Sequence, residues 1–247
     1  MKCHPLNNNV YGFKTFAKKL TAVIHQLLPS CCALCDSRQA DSICAKCLNE
    51  ILALNEVRKC IVCGSQHPTW VCKYCFYAHW AFDQTIVLSN ESSRLIPIIQ
   101  TCNRFGIIAK LPAILYAWKV CNFRHMTPVD IIIPLPEDLQ VSKNRGFWFA
   151  LELAKKWSQL TNTPLQTGII LMVRADRGGS QLENLPSFYI NPLVIKMNTL
   201  HNLRVAIVMP QLLSEFVLHA FASLLKDQGV KWIAFWVLAR DAKKDFY

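Results

Sequence analysis

The chain predicts an α/β domain built on a parallel sheet buried on both faces, set behind a small cysteine-rich module. Three observations predict this. Four Cys-x-x-Cys pairs crowd into residues 32–75, at Cys32/Cys35, Cys44/Cys47, Cys60/Cys63 and Cys72/Cys75. Beyond residue 81, short apolar runs alternate with stretches of helical periodicity, the rhythm of βαβ units. The runs themselves, such as Val-Asp-Ile-Ile-Ile-Pro over 129–134, are almost continuously apolar, whereas a strand covered on one face only would alternate. A hydrophobic fraction of 52% over 247 residues suffices for one good-sized core plus a stapled module.

Residues 1–30 lead in with Phe13, Phe16, Ala17, Leu20, Val23, Ile24, Leu27 and Leu28 at helical spacing and Lys14, Lys18 and Lys19 mostly opposite. That is an amphipathic helix, stopped by Pro29, whose expected role is packing. His25 and Gln26 interrupt its apolar stretch and Pro29 adjoins the only would-be cleavage point, so no export signal is expected. No apolar run reaches the roughly 18 residues of a membrane span.

Residues 31–80 form the module. Its second half repeats the first at an offset of 28 residues, each unit being a pair, eight intervening residues and a second pair. Two residues between paired cysteines let the chain turn tightly, so that both sulfurs converge on one ion at about 2.3 Å. Four pairs in register are a zinc-ribbon signature and imply two zinc ions held by Cys32, Cys35, Cys44, Cys47, Cys60, Cys63, Cys72 and Cys75. Disulfides would need an oxidising compartment, and a redox pair would need one Cys-x-x-Cys opening a helix, not four. Thiolates also suit iron. Spacing leaves the pairing open: sequential pairs per ion and alternating, crossed pairs have the same composition. His67 and His79 lie close by but are superfluous beside eight thiolates. The remaining thiols, Cys3, Cys31, Cys102 and Cys121, fit a reducing cytoplasm.

A short helix is expected over 48–57, between the repeats, and Gly64 suits the turn after a metal knuckle. The domain over 81–240 then predicts a strand at 85–88, helices at 92–102 and 107–122, a strand at 129–134, a helix at 146–160, and strands at 168–173 and 204–208. A helix at 214–228, closed by Gly229, precedes a last strand at 230–239. Residues 241–247 read as a charged tail. The formal charge is +11; two tetrathiolate zinc ions would bring it to about +7. A basic balance of this kind favours phosphate-bearing partners.

Taken in order, these motifs resemble a known family. A doubled cysteine module, Ile133-Pro134-Leu135-Pro136, Arg145-Gly146-Phe147, Arg174 ahead of Gln181, and a terminal apolar strand ending Leu238-Ala239-Arg240 are similar to the ComF family of competence-associated proteins. The resemblance covers residues 20–240. It implies a type I phosphoribosyltransferase-like fold, a parallel sheet with helices on both faces. It also implies cytoplasmic work on incoming single-stranded DNA during uptake and transformation, through contact with the DNA or with DNA-uptake proteins.

In that fold a strand ending in two acids runs into a Thr-Thr-Gly turn whose backbone N–H groups hold a 5-phosphate at a helix N-terminus. Here Met209 and Pro210 stand for the acids and Leu213-Ser214-Glu215 for the turn. A carboxylate about 4 Å from a phosphate costs about 4 kcal/mol at intermediate dielectric. No phosphoribosyl transfer is therefore expected, and no catalytic residue is named. Lys143, Arg145, Arg174, Arg177 and Gln181 are the candidates for phosphate or nucleic-acid contact, while Trp148, Phe149 and Trp157 sit at core spacing. A zinc-module adaptor that docks a partner protein is the alternative, and an active phosphoribosyltransferase a more distant one.

Overall fold

The computed structural model describes residues 31–32, 34–38, 43–56, 58–89, 96–97, 99–100, 102, 111–122, 126–136, 143, 146–167, 170–172, 193–195 and 200–240. The leading helix, the tail and most of the helix expected at 92–102 lie outside them. The elements are α1 (Ala45–Glu56), α2 (Lys73–Ala78), β1 (Gln84–Ser89), α3 (Leu111–Asn122), β2 (Ile131–Pro134), α4 (Phe149–Thr161), β3 (Ile170–Met172), β4 (Leu193–Ile195), β5 (Arg204–Gln211), α5 (Glu215–Asp227) and β6 (Trp232–Ala239).

Strands β1, β6, β5 and β2 form a sheet in that order, and every pairing within it is parallel. The nearly unbroken apolar runs are explained by cover on both sides. Ile86, Leu88, Ile132, Val208, Trp236 and Leu238 point to one face, packed with residues of α1, α3 and α4. Val87, Ile133, Val205, Ile207, Phe235 and Val237 point to the other, packed with α5. On the first face Trp118, Trp157 and Trp236 meet with ring centroids 4.9, 5.3 and 6.1 Å apart. All three are fully buried and their indole N–H groups find no acceptor among the described residues, a cost of about 1–3 kcal/mol each that the packing of these large side chains offsets.

Both open edges of the sheet are closed, which removes the templates that unpaired strands present to other chains. At β2, Ile132 N–H donates to the Pro164 carbonyl (2.8 Å) and the Ile132 carbonyl accepts from Gln166 (2.9 Å). At β1, Thr85 N–H donates to the Ile61 carbonyl (3.0 Å) and Lys59 Nζ to the Val87 carbonyl (3.0 Å). The cysteine module itself thus supplies the cover at β1.

Several expectations shift. The helix between the repeats begins at Ala45, directly after Cys44, and α2 occupies the matching place after Cys72. The run at 168–173 contributes β3, but β3 pairs antiparallel with β4 in a separate two-stranded ribbon, while residues 164–166 bridge to Ile132 on the outer edge of β2. Strand β5 continues through Pro210 to Gln211. The Val208 carbonyl accepts from Leu135 on the β2 side, and Pro210, two residues on, faces the same side where β2 has ended, so its missing N–H leaves no ladder bond unmade. Arg240, at the end of the last strand, is buried.

Candidate metal centres

Each unit of the module folds the same way. Cys32 N–H donates to the Ser37 carbonyl and Asp36 N–H to the Cys32 carbonyl; 28 residues on, Cys60 N–H donates to the Ser65 carbonyl and Gly64 N–H to the Cys60 carbonyl, all at 2.8–2.9 Å. These bonds close a knuckle that turns through a left-handed residue, Asp36 (φ 56°) in one unit and Gly64 (φ 74°) in the other. The second pair of each unit opens a helix. Cys44 and Cys72 precede α1 and α2, and their sulfurs accept N–H bonds from Cys47 (3.3 Å) and Cys75 (3.4 Å). Cys44 and Cys72 N–H groups in turn donate to the sulfurs of Cys32 and Cys60, both at 3.4 Å. The ribbon read from spacing is therefore a knuckle and a helix, whose positive N-terminal end favours thiolates.

The fold settles the pairing. The sulfurs of Cys32, Cys35, Cys44 and Cys47 lie within 4.8 Å of one another, as do those of Cys60, Cys63, Cys72 and Cys75. Pairs are thus used sequentially and not crossed. The sulfurs of Cys35 and Cys44 approach to 3.8 Å and those of Cys63 and Cys72 to 3.9 Å, far longer than a disulfide bond. Two such four-thiol groups fit two zinc ions. Four protein ligands fill a tetrahedron and leave no open position, so these are structural sites and not catalytic ones.

The sulfurs are electrostatically arranged for a cation. The Ser37 hydroxyl, 3.1 Å away, and the Ser37 amide pull the Cys35 thiol down to about 6. Hydrogen bonds from Cys63 and Cys75 hold Cys60 far below the ordinary thiol range. Cys75 rises as the partner of Cys60, and Cys63 is pushed up to about 11 by the same neighbour. Burial pushes the Cys47 thiol up. Each cluster holds sulfurs that share protons at close range, and a dication relieves that crowding.

The two units differ in setting. Cys32, Ile43, Cys47 and Ile51 of the first are part of the main core. In the second, the cysteines form a small cluster of their own, with Val62, Val71 and Trp80 packed against it. Trp80 stacks on Phe82 (5.8 Å) and meets Phe216 and His219 of α5 edge-on. Arg240 completes the junction, donating to the Cys63 carbonyl at 2.6 Å and to Glu215 Oε1 at 2.9 Å.

Other predicted residues separate. Lys143 is exposed, and Arg145, Arg174, Arg177 and Gln181 lie outside the described residues. Phe149 and Trp157 are core, and Trp148 donates its indole N–H to the Leu135 carbonyl at 3.1 Å. His67 bonds Thr69 and His79 ends α2 in a left-handed conformation; neither belongs to a cysteine quartet. Met209 is fully buried in β5, and Glu215, expected in the path of a phosphate, is instead spoken for by Arg240.

Sequence reasoning does not single out Trp70, Tyr74, Phe76 and Tyr77, which the structure leaves 53–68% exposed on the second unit. A signal for them exists. Residues 57–82 carry six aromatics and no Asp or Glu, whereas the matching first unit, 29–54, has no aromatic at all. Among the described residues no helix is long and apolar enough to cross a membrane. No family model, curated protein or solved structure matches the chain.

Proposed function

We propose that this chain is a ComF-type, zinc-built protein of the reducing cytoplasm that handles incoming single-stranded DNA on a phosphoribosyltransferase-like scaffold without phosphoribosyl transfer. The carrying observation is the turn from β5 into α5. The fold class would place a phosphate there, at the C-terminal ends of the strands and the N-terminus of a helix. In this chain Met209 is buried, and the Glu215 carboxylate occupies the first turn of α5, held by Arg240 at 2.9 Å. The turn is neutralised from within, and the ribose-binding acids are absent. Charge supports the ligand class: 27 basic against 16 acidic residues favour a polyanion.

Fluorescence anisotropy of a labelled oligothymidylate, titrated with the zinc-loaded chain over a salt series, tests the binding half. Calorimetry with phosphoribosyl pyrophosphate and magnesium tests the catalytic half. Binding whose logarithm falls linearly with the logarithm of salt is expected, together with no heat at millimolar phosphoribosyl pyrophosphate. An oligonucleotide left unbound at low salt would overturn the DNA reading in favour of a protein adaptor. Micromolar affinity for phosphoribosyl pyrophosphate would restore an enzyme.

A further inference from the structure

The duplicated module has diverged on its surface while keeping its sulfur geometry. Positions in the first unit that match Trp70, Tyr74 and Tyr77 are Ser42, Lys46 and Asn49, and the match for Phe76 is Leu48, which packs on the main core. One copy is spent on building the core. The other presents large rings to solvent, leaving apolar surface in water at a cost that folding alone gives no reason to accept.

The rings are presented in an ordered way. Tyr74 and Tyr77 are three apart on α2 and share a face. Tyr74 lies 5.6 Å from Trp80, which lies 5.6 Å from Phe216, itself 61% exposed; Phe76 meets Tyr77 edge-on at 5.2 Å. Cations are interleaved. The Arg58 guanidinium sits 5.8 Å above the Trp70 ring, beside an open depression lined by Arg58, Gln66, His67 and Pro68, and Lys73 is exposed at the start of α2. No carboxylate stands among residues 57–82. Glu215, whose field reaches Tyr74, is neutralised by Arg240.

We infer that the second zinc unit is a binding site for single-stranded nucleic acid, in which Trp70, Tyr74, Phe76 and Tyr77 stack on bases and Arg58 and Lys73 meet the backbone phosphates. Exposed rings among cations, in a segment that carries no acid, complement a strand that alternates π faces with negative charge. Zinc on the four sulfurs would tie the knuckle to α2, a helix of only six residues, and so fix the rings that both carry. The inference deepens the DNA-handling reading and rests on it.

The test compares the zinc-loaded full chain with its Trp70→Ala, Tyr74→Ala and Phe76→Ala variants, using oligothymidylate and an abasic oligomer of the same length. Zinc content and near-ultraviolet circular dichroism establish that each variant is folded, as expected for exposed positions. Each variant is expected to bind oligothymidylate roughly 5- to 100-fold more weakly, and the wild type to prefer oligothymidylate over the abasic oligomer. Wild-type binding that all three variants retain, or equal affinity for both oligomers, would overturn the site and leave the DNA-handling reading standing. A wild type that binds neither oligomer would overturn both, and the surface would then belong to a protein partner.

Discussion

Gly64 and Asp36 hold the same place in the two knuckles, and what surrounds them shows how differently the units are used. Both adopt positive φ, which disfavours side chains by about 1–2 kcal/mol. A Cβ on Gly64 would in addition lie 2.6 Å from Val87 Cγ2, on the edge strand that this unit covers. Asp36 is exposed. Gly64→Ala is therefore expected to destabilise by about 2–4 kcal/mol in denaturant melts, while Asp36→Gly moves stability by less than about 1 kcal/mol. Equal effects would mean that the second knuckle does not press on β1. Gly64 was legible as a turn residue; its contact with Val87 was not, because a contact between a loop and a strand leaves no periodic mark in either segment.

At the scale of elements, Arg240 ties the end of β6 to the start of α5 and to the second knuckle. Its side chain and that of Glu215 are 11% and 16% exposed, so removing one partner strands a buried charge. Arg240→Met is expected to cost about 3–5 kcal/mol, and adding Glu215→Gln should return a substantial part of it. A double-mutant cycle showing no coupling would contradict the tie. The sequence could not show this. Glu215 lies 25 residues from Arg240 and Cys63 lies 177 away, and a charged residue at the end of an apolar strand reads as the start of a tail. Strands β1, β2, β5 and β6 were legible for the opposite reason, since burial on both faces writes itself as continuous apolar sequence. Of the separate ribbon, β3 was legible as a strand but its antiparallel pairing was not, because the three-residue β4 is too short to carry a pattern.

For the molecule as a whole, metal and sheet form one construction. The first unit lies in the core on one face, and the second closes the β1 edge and reaches α5 on the other. The ligands were legible because the 28-residue offset repeats every cysteine. Their pairing was not, since spacing cannot distinguish a chain that closes each unit on itself from one that interleaves them. The exposed aromatics were present in the composition but overshadowed by the zinc motif around them. The central claim is that each unit holds its own zinc, and native mass spectrometry of the chain purified under reducing conditions tests it most directly. Two zinc ions are expected on the wild type and one on Cys35→Ser/Cys44→Ser, because both substitutions fall in the first quartet; Cys35→Ser/Cys63→Ser, which strikes both quartets, should hold none. Fewer than two ions on the wild type, or the reverse order between the two double variants, would contradict it.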